Sequence, residues 1–144
     1  MIEQDTVRLL RECDAGIKMG VSSIEDVLNY VQAGPFKRCL TDCKAEHEKL
    51  ENEIQVLLDK YHDEGKNPGL MAKSMSKVKT NLKMAINNSD EVIAGLMTDG
   101  CNMGVKYLNK YLNEYEAASE ESKDITKRLI NLEEKLVIDI RDFL

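Results

Sequence analysis

Residues 5–31 read DTVRLLRECDAGIKMGVSSIEDVLNYV, and their spacing admits one kind of element. Val7, Leu10, Asp14, Ile17, Val21, Ile24, Leu28 and Val31 recur at alternating steps of three and four residues. That step puts one residue per turn on a single side of an α-helix. Seven of these positions are apolar and the eighth is the carboxylate Asp14. A buried polar group left unsatisfied costs about 1–3 kcal/mol. Asp14 therefore calls for a partner from elsewhere in the fold.

A second seam follows in Phe36, Leu40, Cys43, His47, Leu50, Ile54, Leu57 and Tyr61, with a thiol and an imidazole at positions an aliphatic would fill. Gly34-Pro35 separates the two seams, and proline is tolerated in a first helical turn because its missing N–H has no acceptor there. The segment Gly65-Lys66-Asn67-Pro68-Gly69 ends the second seam. Further on, Asn88 with Glu91 resembles a capping box. A third face carries Ile93, Leu96, Gly100, Met103, Tyr107, Tyr111 and Tyr115, and a fourth carries Ile125, Leu129, Leu132, Leu136, Ile140 and Phe143. The expected elements are helices at about 5–31, 35–64, 90–118 and 122–143, with a crossover helix at about 70–86 bearing Met71, Met75, Val78, Leu82 and Ala85.

Connector length sets the expected topology. The first and last joints are a few residues long and make antiparallel neighbours. The central connection is long enough to run the length of a bundle at about 1.5 Å per helical residue. The expectation is an all-α, single-domain, ferritin-like four-helix bundle over residues 1–144: two antiparallel hairpins joined by a long helical crossover. A plain up-down bundle with the short segment folded across one end is the alternative.

Composition agrees. A chain of 144 residues with 5% aromatics, no Trp and two Pro suits an aliphatic helical core. Its net charge of −6 argues against nucleic acid as a partner. No run of about 20 apolar residues predicts a transmembrane segment, and four Cys at this spacing are not a secreted disulfide scaffold. Reduced thiols and a cytoplasmic location are expected.

Parts of the chain resemble a bacterial ferritin-like family of unknown function: Leu10 with Asp14-Ala15-Gly16-Ile17, Phe36 through Leu50, Val78 through Lys83, and Gly100 through Tyr111. The resemblance implies a ferritin-like bundle and no established activity. It departs at Cys101, where the family pattern would place a glutamate.

Ferritin-like bundles that hold two iron ions take Glu from two helices and Glu-x-x-His from the other two. This chain has two His, both in the second helix, and the residue three before His47 is Lys44. Asp59-x-x-His62 has the spacing but sits beside the Gly65 break, as a solvated helix end would. No di-iron site is expected, and no catalytic constellation. Cys39, Cys43 and His47, one turn apart, form a different candidate metal set suited to Zn or Cu(I), with Cys101 and Met103 nearby in the third helix. Against it stands the behaviour of free Cys as a small buried hydrophobe.

Three further expectations follow. Gly20, His47, Gly100 to Gly104 and Leu132 fall at one level of the crossover topology, so small residues would surround His47, or else the glycines simply let helices pack closely. Asp14 would be a buried polar group fixing helix register, satisfied by the Tyr107 hydroxyl or by Lys106. Five lysines and no acid lie between Gly65 and Ser89, so the basic 66–83 segment would dock a protein partner or form the solvated side of a helix. Histidine phosphotransfer is disfavoured, because His47 lies in an apolar seam and precedes Glu48-Lys49-Leu50-Glu51. The functional expectation is a non-enzymatic bundle, with no required cofactor, acting as a homo-oligomer or through a partner. A soft-metal or thiol site inside the bundle is the alternative.

Overall fold

The structure, a computed structural model, describes residues 2–61 and 89–144. Over these the chain forms four α-helices and, among the described residues, no strand: α1 (Ile2–Leu28), α2 (Gly34–Lys60), α3 (Asp90–Glu114) and α4 (Glu120–Ile140), followed by a short 3-10 turn (Arg141–Phe143). The expected crossover helix, the basic 66–83 segment, His62 and Asn88 lie outside the described residues. No helix among the described residues is long and apolar enough to cross a membrane.

The helices pack because each carries an apolar stripe. α1 lies against α2, α3 against α4, α2 against α4, and α1 touches both α3 and α4. The interior divides into two apolar clusters. One gathers Leu9, Leu10, Ile17, Ile54, Leu108 and Leu129 with their neighbours. The other gathers Ile24, Val27, Phe36, Leu40, Ile93 and Ile140, with Phe36 stacked on Phe143 at 4.9 Å between ring centroids. Burying each such side chain stabilises the fold by about 1.5–3 kcal/mol.

Helix ends are set by tertiary hydrogen bonds. α1 stops at Leu28, short of Val31, although Val31 is buried. The N–H of Gln32, which would donate to Leu28 in a continued helix, instead donates to Asp90 Oδ1 at 2.8 Å, and Ala33 N–H donates to Asp90 Oδ2 at 2.8 Å. A carboxylate from α3 thus holds the α1–α2 turn. The α3–α4 turn is held in the same way by α1: Ala117 N–H donates to Asp5 Oδ2 at 3.1 Å and Ser119 N–H to Thr6 Oγ1 at 2.8 Å. α3 accordingly ends at Glu114 rather than near residue 118. Its N-cap is Ser89, which makes no side-chain cap bond, and the helix start is tied to the α1–α2 turn through Asp90. Ser119 caps α4 by accepting from Ser122 N–H.

Candidate functional site

Between the two apolar clusters lies a polar layer. His47 falls between Cys43 and Leu50 on α2, Glu133 between Ile130 and Leu136 on α4, Gly20 between Ile17 and Ile24 on α1, and Gly104 between Cys101 and Leu108 on α3. His47 is 1% exposed. Its Nε2 lies 2.6 Å from Glu133 Oε1, and its Nδ1 lies 2.8 Å from the Cys43 carbonyl oxygen and 3.4 Å from Cys43 Sγ. A carbonyl only accepts, so Nδ1 carries a proton. The proton between Nε2 and Oε1 then decides between an imidazolium–carboxylate pair and a neutral pair. Burial by itself would lower the His47 pKa, but its contacts with Cys43 and Glu133 outweigh that and push it up to about 11. The layer is an ion pair at neutral pH.

The remaining members complete it. The Cys101 thiol donates to Glu133, and burial together with that carboxylate pushes its pKa well up, keeping the thiol protonated. Gly20 and Gly104 leave the room: a Cβ on Gly20 would stand 3.4 Å from His47 Cδ2, and one on Gly104 would stand 3.6 Å from Glu133 Oε2. A cavity of about 20 Å³ remains, bordered by Gly20, Ser23, His47, Gly100, Cys101 and Glu133. That is room for about one water molecule. The expected level of small residues around His47 is therefore assembled, but its α4 member is Glu133, with Leu132 one position round the helix and half-buried.

Glu133 is the residue that reading the sequence missed. Taken along Ser122, Thr126, Leu129, Glu133, Leu136 and Ile140, α4 has a four-three-four-three-four seam broken by one carboxylate. The signal is weaker than the one that singled out Asp14, because Ser122 and Thr126 also interrupt the apolar run. The chosen face, through Leu132 and Phe143, lies on its flank.

The other candidates sort as follows. Asp14 is fully buried, accepting from Lys18 Nζ at 2.8 Å and Gln55 Nε2 at 2.9 Å. Its cation is thus Lys18, one turn along the same helix; Lys106 is exposed and lies over the Tyr107 ring, 5.7 Å from the centroid. Tyr107 is half-buried, because Gly104, Leu108 and Tyr111 occupy the inward positions of α3. Cys13 packs in the core with Sγ 3.2 Å from Thr126 Oγ1, and burial pushes its pKa up to about 12.

Cys39, Cys43 and His47 do not converge. Each step of four residues turns about 40° around a helix, so Cys39 lies on the α2 flank while His47 points inward. The Cys39 thiol faces the Asp139 carbonyl oxygen at 3.9 Å, and both His47 nitrogens are engaged. Among the described residues, no group of three or more His, Cys, Asp or Glu side chains is disposed to hold a metal ion. Cys39 and Cys43 instead border a groove of about 280 Å³ between α2 and α4.

No family model matches the chain, and no curated protein or solved structure is significantly similar to it.

Proposed function

We propose that the chain is a non-enzymatic, ferritin-like four-helix bundle that acts through self-assembly or partner binding. The topology part of this reading is supported by the two turn contacts. Asp90, at the start of α3, accepts from the α1–α2 turn, and Asp5 and Thr6 of α1 accept from the α3–α4 turn. With α1–α2 and α3–α4 taken as antiparallel hairpins, these contacts support an α3 parallel to α2, the arrangement of ferritin-like bundles with a long central connection. A cytoplasmic setting fits four free thiols.

The observation that carries the non-enzymatic part is the closure of the polar layer. His47, Glu133 and Cys101 satisfy one another around a space of about 20 Å³, which leaves no room for a substrate. Such a layer fixes which helix faces which and at what register, and interaction with other molecules is left to the outer surface. The test is the solution mass of the reduced protein by light scattering across micromolar concentrations. An integral multiple of the chain mass is expected. A monomer throughout would overturn self-assembly, and partner binding would then have to be shown by a defined complex.

A further inference from the structure

We propose that Cys39 and Cys43 form a two-coordinate thiolate site for a soft monovalent cation, Cu(I), in the groove between α2 and α4. The two thiols are one turn apart on α2 and border the same groove, together with Arg38, Asp42, Lys135 and Asp139. Cys39 is half-buried, so the site opens to solvent, while Cys43 lies deeper, against His47.

The choice of ion follows from donors and spacing. Thiolates select soft cations. Zn would need four ligands, and no third His, Cys, Asp or Glu side chain joins this pair among the described residues. His47 is unavailable, because its two nitrogens are held by the Cys43 carbonyl and Glu133. A disulfide is also a poor fit: side chains four apart on a helix have Cβ atoms about 5–6 Å apart, against about 3.5–4.5 Å in a disulfide. A cation held in line between two sulfurs spans a wider gap than a sulfur–sulfur bond does, which suits side chains one helical turn apart.

Charge in the groove is balanced, with Asp139 paired to Lys135 at 2.6 Å and Asp42 set against Arg38. Binding displaces one proton from each thiol, giving a bis-thiolate complex of net charge −1 and two protons released to solvent. That complex lies 3.4 Å from the His47 ring at Cys43 Sγ and shares its groove with Arg38 and Lys135.

The test is anaerobic titration of the full, reduced chain with Cu(I) against a chromophoric Cu(I) chelator. One equivalent withdrawn per chain is expected, with loss of that equivalent in Cys39→Ser and in Cys43→Ser and its retention in Cys13→Ser, Cys101→Ser and His47→Gln. Cys39→Ser is the decisive variant, since its half-exposed position puts folding at little risk, and its helicity is checked by circular dichroism. The proposal is overturned if the chelator keeps all the Cu(I), if Cys39→Ser binds as wild type does, or if His47→Gln loses the ion as Cys39→Ser does. Oligomeric mass plays no part in the result, so the assembly reading stands or falls separately.

Discussion

Asp14 and His47 interrupt apolar seams in the same manner, one in α1 and one in α2, yet the fold satisfies them differently. Asp14 takes its cation from Lys18, one turn along its own helix, and the Lys18 side chain is 50% exposed. The pair is anchored inside but open to water at its charged end, as long lysine side chains allow. His47 takes its partner from α4, and Glu133 is 12% exposed, so both charges are drawn out of water. A local pair can relax toward solvent when it is disturbed. A pair spanning two helices between two apolar clusters has nowhere to go, and its geometry depends on the placement of both helices.

The largest effect is expected at the sealed pair. Glu133→Ala leaves the His47 imidazolium without its carboxylate and should cost about 3–5 kcal/mol in chemical denaturation. Replacing both partners, His47→Leu with Glu133→Leu, should recover most of that loss, because well-packed apolar residues often equal or exceed a buried ion pair. A single-variant cost under about 1 kcal/mol would mean the pair is as solvent-relaxed as Asp14–Lys18.

The same pair predicts a pH signature. The folded pKa of His47 is raised to about 11 from an unfolded value of about 6.5. The folded state therefore holds the proton more tightly, and its contribution is complete below the unfolded value and lost as pH rises through the folded one. Wild-type stability should decline from about pH 6.5 upward relative to His47→Gln, and the two profiles should run parallel below about pH 6. Nitrogen NMR should show protons on both ring nitrogens at neutral pH. A neutral ring would contradict the ion pair.

At the open pair the effects should be smaller. Asp14→Ala removes the acceptor of two hydrogen bonds and should cost about 1–3 kcal/mol, while Lys18→Ala should cost under about 1 kcal/mol because half of that side chain is already in water. If Asp14→Ala proved as damaging as Glu133→Ala, the distinction between local and cross-helix pairing would fail.

The smallest effects test the glycines of the layer against one outside it. A Cβ on Gly95 would meet nothing within 4 Å, so Gly95→Ala should stabilise α3 by about 1 kcal/mol through helix propensity alone. At Gly20 the same gain is offset by contact with the His47 ring at 3.4 Å, so Gly20→Ala should give less. Thermal denaturation of the two variants side by side measures the difference. Equal gains would show that the layer tolerates a methyl group and that its glycines do not shape it.

Much of the architecture was legible along the chain. The three-four steps marked the helices and placed Asp14 and His47 inside, and the Gly34-Pro35 break placed the first turn. Glu133 carried a fainter signal between Leu129, Leu136 and Ile140, because Ser122 and Thr126 share that face and the flank through Leu132 reads as more apolar, so only packing chooses between them. The Cys39–Cys43–His47 set read as one face because single-turn spacing hides the drift that accumulates over two turns.

Helical spacing depends on residues three and four apart, so the sequence by itself determined the four amphipathic helices of the described residues and which positions in them are unusual. Partners are another matter. Asp90 finds the α1–α2 turn, Thr6 finds Ser119 and His47 finds Glu133 across 58, 113 and 86 residues of chain respectively. The tertiary structure decided those pairings, and with them the helix ends and the sealed character of the polar layer, because a hydrogen bond between distant residues exists only once the helices carrying them are docked.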